Sequence, residues 1–203
     1  MKKNEKQIAD KRVVRTRKAI IGAFTELLAE KNLNLITVKD IAERANINRK
    51  TFYNYYNGIY EVIEEVEREL IDKFDVCFAN LDLVSCLDDS RLIFDRIDLM
   101  INSDLELFSN LFNMSENVDI TTKITSIIKE KTKGAICSGL GFDENSADIA
   151  LEYGISGMVS VYQMWFRSDR KIPLSEISDM IGVMSFDGIK GLMTRRLSCR
   201  GQV

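Results

Sequence analysis

Eight of the nine residues in Asn48-Arg49-Lys50-Thr51-Phe52-Tyr53-Asn54-Tyr55-Tyr56 carry a side chain that forms hydrogen bonds. In a helix, Phe52 and Tyr56 lie four apart on one face and turn inward, leaving Arg49, Lys50, Thr51, Tyr53 and Tyr55 to face outward. This outward set suits double-stranded DNA. Arg and Lys donate to guanine edges or phosphates, a Thr methyl meets the thymine methyl, and Tyr hydroxyls bond phosphate oxygens.

Such a helix is useful only if its neighbours hold it still. Thr37 has the residue type of an N-cap and Asp40, three residues on, completes a capping-box-like pair, so a short helix is predicted with Val38, Ile41 and Ala45 inward. Ala42 is small enough to let a second helix cross close by. Asn46 can adopt the positive φ of a tight turn, Ile47 can plug the wedge, and Asn48 can cap the helix that follows. Two short helices joined in this way form a helix-turn-helix. Upstream, Ile20, Phe24, Leu27 and Leu28 fall at i, i+4, i+7 and i+8, which predicts an amphipathic helix from Arg17 to about Lys31-Asn32. Asn32 is expected to end it in the left-handed region, with Leu33 and Leu35 packing back on the core.

Charge divides the chain in the same place. Residues 1–56 hold 13 Lys/Arg against 6 Asp/Glu, a balance of +7, and residues 57–203 hold 15 against 25, a balance of −10. Lys2, Lys3, Lys6, Lys11, Arg12, Arg15, Arg17 and Lys18 crowd the start. Taken alone, that cluster fits a solvated tail as well as a nucleic-acid contact; the helix-turn-helix decides for the contact.

The chain contains no histidine. Ser/His/Asp and Cys/His catalysis, histidine general bases and mixed Cys/His zinc sites are therefore all excluded. Cys77, Cys86, Cys137 and Cys199 form no C-x-x-C pair and read as buried small residues or free thiols. No phosphate loop or metal cluster is present, so neither an enzyme nor a cofactor or metal is expected. Asn4-Glu5-Lys6-Gln7 interrupts any secretory pattern, and the longest uncharged stretch, residues 153–166, is too short for a membrane span. A cytoplasmic protein with no membrane partner is expected.

The run Thr37-Val-Lys-Asp-Ile-Ala-Glu-Arg-Ala-Asn-Ile-Asn-Arg-Lys-Thr-Phe-Tyr-Asn-Tyr-Tyr resembles the DNA-binding signature of TetR-type bacterial transcriptional regulators. With the helix before it and the apolar start of the next, the resemblance covers roughly residues 12–75. It implies that Thr37, Lys39, Arg49, Lys50, Thr51, Tyr53 and Tyr55 face DNA, and Asn48, the cap of the same helix, is expected with them. Asn32 and Asn46 stand where the family usually has glycine. Ile59 stands where it usually has a phosphate-binding lysine; either nearby backbone amides and the basic arm replace that contact or the hold on DNA is weaker.

An all-α fold of about nine helices is expected, with residues 1–56 as a DNA-binding domain and residues 57–203 as a helical domain for effector binding and dimerisation. A helix from Asn57 carries Ile59, Val62, Ile63, Val66, Leu70 and Phe74 inward, and its Glu61, Glu64, Glu65, Glu67 and Glu69 read as a solvated face, with Glu64 paired to Arg68, rather than as an acidic partner site. Further helices are expected at about 90–101, 103–112, 119–138, 144–168 and 174–197. The fourth of these is apolar nearly all round and must be buried on most sides. Gly154, Gly157 and Val161 on it, with Ile177, Ile181 and Met184 on the last helix, are the expected homodimer interface. Phe94, Phe108, Phe112, Tyr153, Tyr162 and Trp165 are the aromatic candidates for a small apolar or aromatic effector, although aromatics at helical spacing pack cores as readily as they line pockets. Residues 154–181 also resemble the TetR subgroup that includes dihydroxyacetone-kinase operon regulators, some of which answer to a protein partner. The expected function is an effector-responsive repressor acting as a homodimer on a near-palindromic operator. The alternative is a coactivator or adaptor of the same fold.

Overall fold

The computed structural model describes the backbone of residues 2–113 and 120–200, and side chains over 11–113 and 122–192. The side chains of Lys2, Lys3 and Lys6 in the basic arm, and of Cys199, lie outside those residues. Ten α-helices and one 3-10 turn make up the described secondary structure, with no strand. They are α1 (Lys2–Glu30), the turn Leu33–Leu35, α2 (Val38–Arg44), α3 (Arg49–Tyr53), α4 (Ile59–Phe78), α5 (Ser85–Asp88), α6 (Arg91–Ser103), α7 (Leu105–Phe112), α8 (Ile120–Leu140), α9 (Glu144–Phe166) and α10 (Leu174–Arg200). The helix the sequence did not announce is α5, whose four residues are too few to show a period. Among the described residues no helix is long and apolar enough to cross a membrane.

The chain forms two compact units, Met1–Leu70 with Glu106–Val118, and Ile71–Leu105 with Asp119–Val203. In the first, Ile20, Phe24, Leu27 and Leu28 of α1 are buried together with Ile41, Phe52, Val62, Leu70 and Phe108. α1 begins well before Arg17, because nothing in residues 2–16 breaks a helix. Its end differs from expectation too. Asn32 has φ −62 and ψ 144, an extended conformation that starts the 3-10 turn. Leu35 is exposed, and Ile36, not the leucines, fills the core there.

In the second unit α6, α8, α9 and α10 pack around Phe94, Ile97, Ile128, Leu151, Ile155 and Ile181. Gly182 lets α10 approach α6 closely: a Cβ there would stand 2.6 Å from Ser90 Oγ. Trp165 closes the end of α9, donating from Nε1 to Ile172 O at 2.7 Å and packing edge-on against Phe166. Cys77 and Cys86 are buried, and burial pushes both thiols up to about 11, so they serve as inert packing.

One polar chain crosses this core. Tyr162 Oη and Ser178 Oγ lie 2.8 Å apart, and Ser178 Oγ donates to Asp98 Oδ1, tying α9, α10 and α6 together. Burial raises the Asp98 carboxyl above its ordinary range, and Asp95 and Asp179 add to the rise. Ionising Asp98 therefore costs stability as pH climbs through that raised value, a cost absent below the unfolded value of about 3.9. Asp98→Asn keeps an oxygen acceptor for Ser178 and removes the charge. It should raise the thermal midpoint at pH 7 by roughly 1–3 °C, with the gain shrinking as pH falls toward 4. A calorimetric series across that range checks this.

Candidate nucleic-acid interface

The first cap is complete on both sides. Thr37 (φ −116, ψ 157) accepts from Asp40 N through Oγ1 at 3.2 Å, while Asp40 Oδ2 accepts from Thr37 N at 2.8 Å. The same carboxylate oxygen also accepts from Lys31 Nζ at 2.8 Å, which pins the start of α2 to the segment after α1. At its other end α2 is braced by Arg44, which pairs with Glu26 and Glu30 of α1 at 3.0 and 2.7 Å.

Between α2 and α3 the backbone makes a Schellman turn. Ile47 N donates to Ala42 O at 2.9 Å and Asn46 N donates to Glu43 O at 3.1 Å, with Asn46 at φ 53. Asparagine adopts this left-handed conformation more readily than other residues with a Cβ, which explains how the position dispenses with glycine. Asn48 then caps α3: its Oδ1 accepts from Thr51 N at 2.7 Å and from Thr51 Oγ1 at 3.0 Å.

Phe52 is fully buried, and its ring lies 5.6 Å from that of Tyr53 and 5.7 Å from that of Tyr56. Arg49, Lys50 and Tyr53 are exposed, and Thr51 and Tyr55 are half-buried beside them. Thr37 and Lys39 are exposed at the start of α2, where Lys39 sits 3.7 Å from Glu43. The eight residues singled out in the sequence thus belong to one motif, with Thr37 and Asn48 doubling as its caps.

Two residues that the sequence reading did not place at this site, Thr16 and Asn54, stand beside them. With Arg12, expected here as part of the basic cluster, they line an open groove with Asn48, Thr51 and Tyr55. The spacing of four between Arg12 and Thr16 on an extended α1 was the available signal; starting α1 at Arg17 hid it. At the head of α4, Ile59 supplies no cation. Asn57 donates both its backbone N–H and its Nδ2 to Glu61, at 2.8 and 2.6 Å, so that amide is already engaged by a carboxylate.

The other predicted sites are placed less uniformly. An apolar cavity of about 90 Å³ lies inside the second unit. Of the six aromatic candidates only Phe94 lines it, together with Phe78 and Phe186. Phe108 and Phe112 are buried in the first unit, Tyr162 and Trp165 are engaged in the hydrogen bonds above, and Tyr153 is 83% exposed. Of the six interface candidates, Ile177 and Ile181 are buried within the protomer, Gly154 lines the cavity, Val161 is half-buried, and Gly157 and Met184 are exposed.

A family model described as bacterial regulatory proteins, tetR family, matches residues 20–66. A second, described as transcriptional regulator C-terminal region, matches residues 88–187. The chain is 42% identical over 80 residues to an uncharacterized HTH-type transcriptional regulator, YxbF, of Bacillus subtilis (strain 168), covering 37% of this chain and 21% of that protein. It is 31% identical over 106 residues to DhaS, the HTH-type dhaKLM operon transcriptional activator of Lactococcus lactis subsp. lactis (strain IL1403), covering 48% of this chain and 56% of that protein. The matches thus span about a fifth and just over half of these curated relatives. Among solved structures, the fatty acid degradation regulator FadR from Bacillus halodurans aligns with a TM-score of 0.62 at 16% identity, over 85% of this chain and 95% of that one. A TetR transcriptional regulator from Streptococcus agalactiae 2603V aligns at 0.54 and 17% identity, over 88% and 98%. At these identities the likeness is one of fold.

The cap makes its own prediction. The Lys31 ammonium and the two Thr37 donors hold the Asp40 carboxyl down to about 2. A folded value below the unfolded one means that this support is present above about 3.9 and is lost as pH falls through about 2. NMR titration of the Asp40 carboxyl should give a midpoint near 2, and Lys31→Met should move it upward toward the ordinary value.

Proposed function

The chain belongs to the TetR family of bacterial transcriptional regulators and carries a DNA-binding helix-turn-helix, and from that premise we propose that it is a homodimeric, effector-responsive repressor rather than an enzyme of any kind. Two copies of α3 enter successive major grooves of a near-palindromic operator, roughly 34 to 36 Å apart. The observation that carries this reading is the doubly capped motif. Its buried side is Phe52 and Tyr56, and its outer side presents Arg49, Lys50 and Tyr53 to solvent. In this reading Thr37, Lys39, Asn48, Arg49, Lys50, Thr51, Tyr53 and Tyr55 contact the duplex, and Arg12, Thr16 and Asn54 add backbone contacts. Residues 1–56 read DNA and residues 57–203 sense and dimerise.

The dimer reading rests on exposed apolar side chains of the last two long helices. Ile149, Tyr153 and Met164 on α9, with Met180, Val183 and Met184 on α10, stand open in the single chain. An apolar row of this kind on two neighbouring helices is a surface that a second copy of the chain could cover. Gly157 lies in the same row of α9, while Ile177 and Ile181 serve the protomer's own core.

The cavity supports an effector that is small, neutral and apolar. No charged residue lines it; Thr132 spends its hydroxyl on Ile128 O. A charged ligand would be stranded there without a partner. Its volume of about 90 Å³ is below the ~150 Å³ of an engineered apolar cavity that takes up benzene. Phe78, the last residue of α4, is part of the wall. To release DNA, the ligand must bind the wrongly spaced dimer more tightly than the correctly spaced one.

Two observations favour a second reading: the relative DhaS is named as an activator, and Ile59 gives the head one cation fewer. In that reading the protein acts mainly through a protein partner. Selection from random duplexes separates the two, since a repressor enriches a palindrome and an adaptor enriches none. On the selected duplex, Arg49→Ala should weaken binding by about 1–3 kcal/mol without changing the thermal midpoint. If about six to ten phosphates are neutralised, affinity should fall on the order of 10³- to 10⁵-fold between ~50 and ~200 mM salt. Unchanged affinity of the Arg49 variant would remove that residue from the interface.

A further inference from the structure

The acidic side of α4 was expected to be a solvated face. Glu65 departs from that. Its Oε2 accepts from Arg17 of α1 at 2.6 Å, and the Glu65 side chain is only 20% exposed. The Arg17 guanidinium in turn lies over the Tyr56 ring, 5.6 Å from its centroid. Tyr56 is buried against Phe52, so this one cation joins α1, α4 and the segment that ends the reading helix. Although Arg17 belongs to the basic cluster at the start of the chain, it is turned inward.

The contact is also incomplete. Arg17 Nε and Tyr56 Oη are both buried, and neither has a hydrogen-bond partner of good geometry. Buried polar atoms without partners are uncommon and costly. The two groups nonetheless sense each other: proximity to Tyr56, and then to Glu65, raises the Arg17 guanidinium, and burial pushes the Tyr56 hydroxyl up to about 12.

We propose that Glu65 is a positioning residue for DNA recognition, holding Arg17 so that Arg17 fixes Tyr56 and with it the end of the reading helix. This rests on the reading of α3 as the DNA-contacting helix. It also predicts a result opposite in sign to simple electrostatics. Removing a carboxylate from a DNA-binding unit should strengthen its attraction to a polyanion. Removing the Glu65 charge should instead weaken specific binding, because the side chain acts through Arg17.

The test compares Glu65→Gln with Glu64→Gln, which makes the same charge change on the exposed neighbouring residue. The probes are the palindrome that the unaltered chain enriches from random duplexes and a scrambled duplex of the same length. Glu65→Gln should lower affinity for the palindrome roughly five- to tenfold while leaving the scrambled duplex unchanged or slightly tighter. Glu64→Gln should weaken neither. Equal shifts in the two variants would overturn the proposal. Hydrogen exchange at the amides of Tyr55 and Tyr56, which bond to Phe52 O, supplies a readout that needs no DNA. It should quicken in Glu65→Gln and not in Glu64→Gln, and no difference would sink the positioning role. If the unaltered chain enriches no palindrome, the DNA-reading assignment of α3 fails while the exchange comparison still decides the link itself. Should Glu65→Gln not fold, Glu65→Asp keeps the charge and shortens the reach. It should lose specificity with no change on the scrambled duplex, and full specificity would overturn the proposal.

Discussion

Five residues make little more than one helical turn, and a segment as short as α3 has no stability of its own in water. In the proposed reading of α3 as the DNA-contacting helix, what Arg49, Lys50 and Tyr53 present depends on this turn being held from outside. Asn48 satisfies its start, and the burial of Phe52 fixes its face. The left-handed Asn46 sets the direction in which it leaves α2. Each device is local, but all three work only because α2 is itself pinned, by Asp40 to Lys31 and by Arg44 to the acids of α1. The outer face of α3 is thus the outermost layer of a set of braces that begins in α1.

These braces explain what was legible in the sequence. Caps and turns are written in residue type at fixed offsets, so Thr37 with Asp40, Asn46 and Asn48 could be read without coordinates. Burial at helical spacing was equally plain for Ile20, Phe24, Leu27 and Leu28. Periodicity does not record which long polar side chain meets which across space. Arg17 and Glu65 are 48 positions apart, and a charge count gives each to a solvated surface. The start of α1 was missed for a related reason: the apolar stripe begins near Ile20, while the helix extends through exposed, charged turns that have good helix propensity but no stripe.

The second unit shows the opposite limit. α9 is apolar nearly all round, and burial on most sides was the natural expectation. In the single chain one row of it, Ile149, Tyr153 and Met164, is open. The sequence contains the demand for burial but not which of these side chains the chain's own helices cover and which they leave open. Ile177 and Ile181 illustrate the ambiguity, since a residue three or four positions away on the same helix faces a different neighbour. Aromatic residues suffer the same confusion. Phe94 meets the cavity, whereas Tyr162 and Trp165 are occupied by bonds to Ser178 and Ile172, partners that no spacing rule identifies.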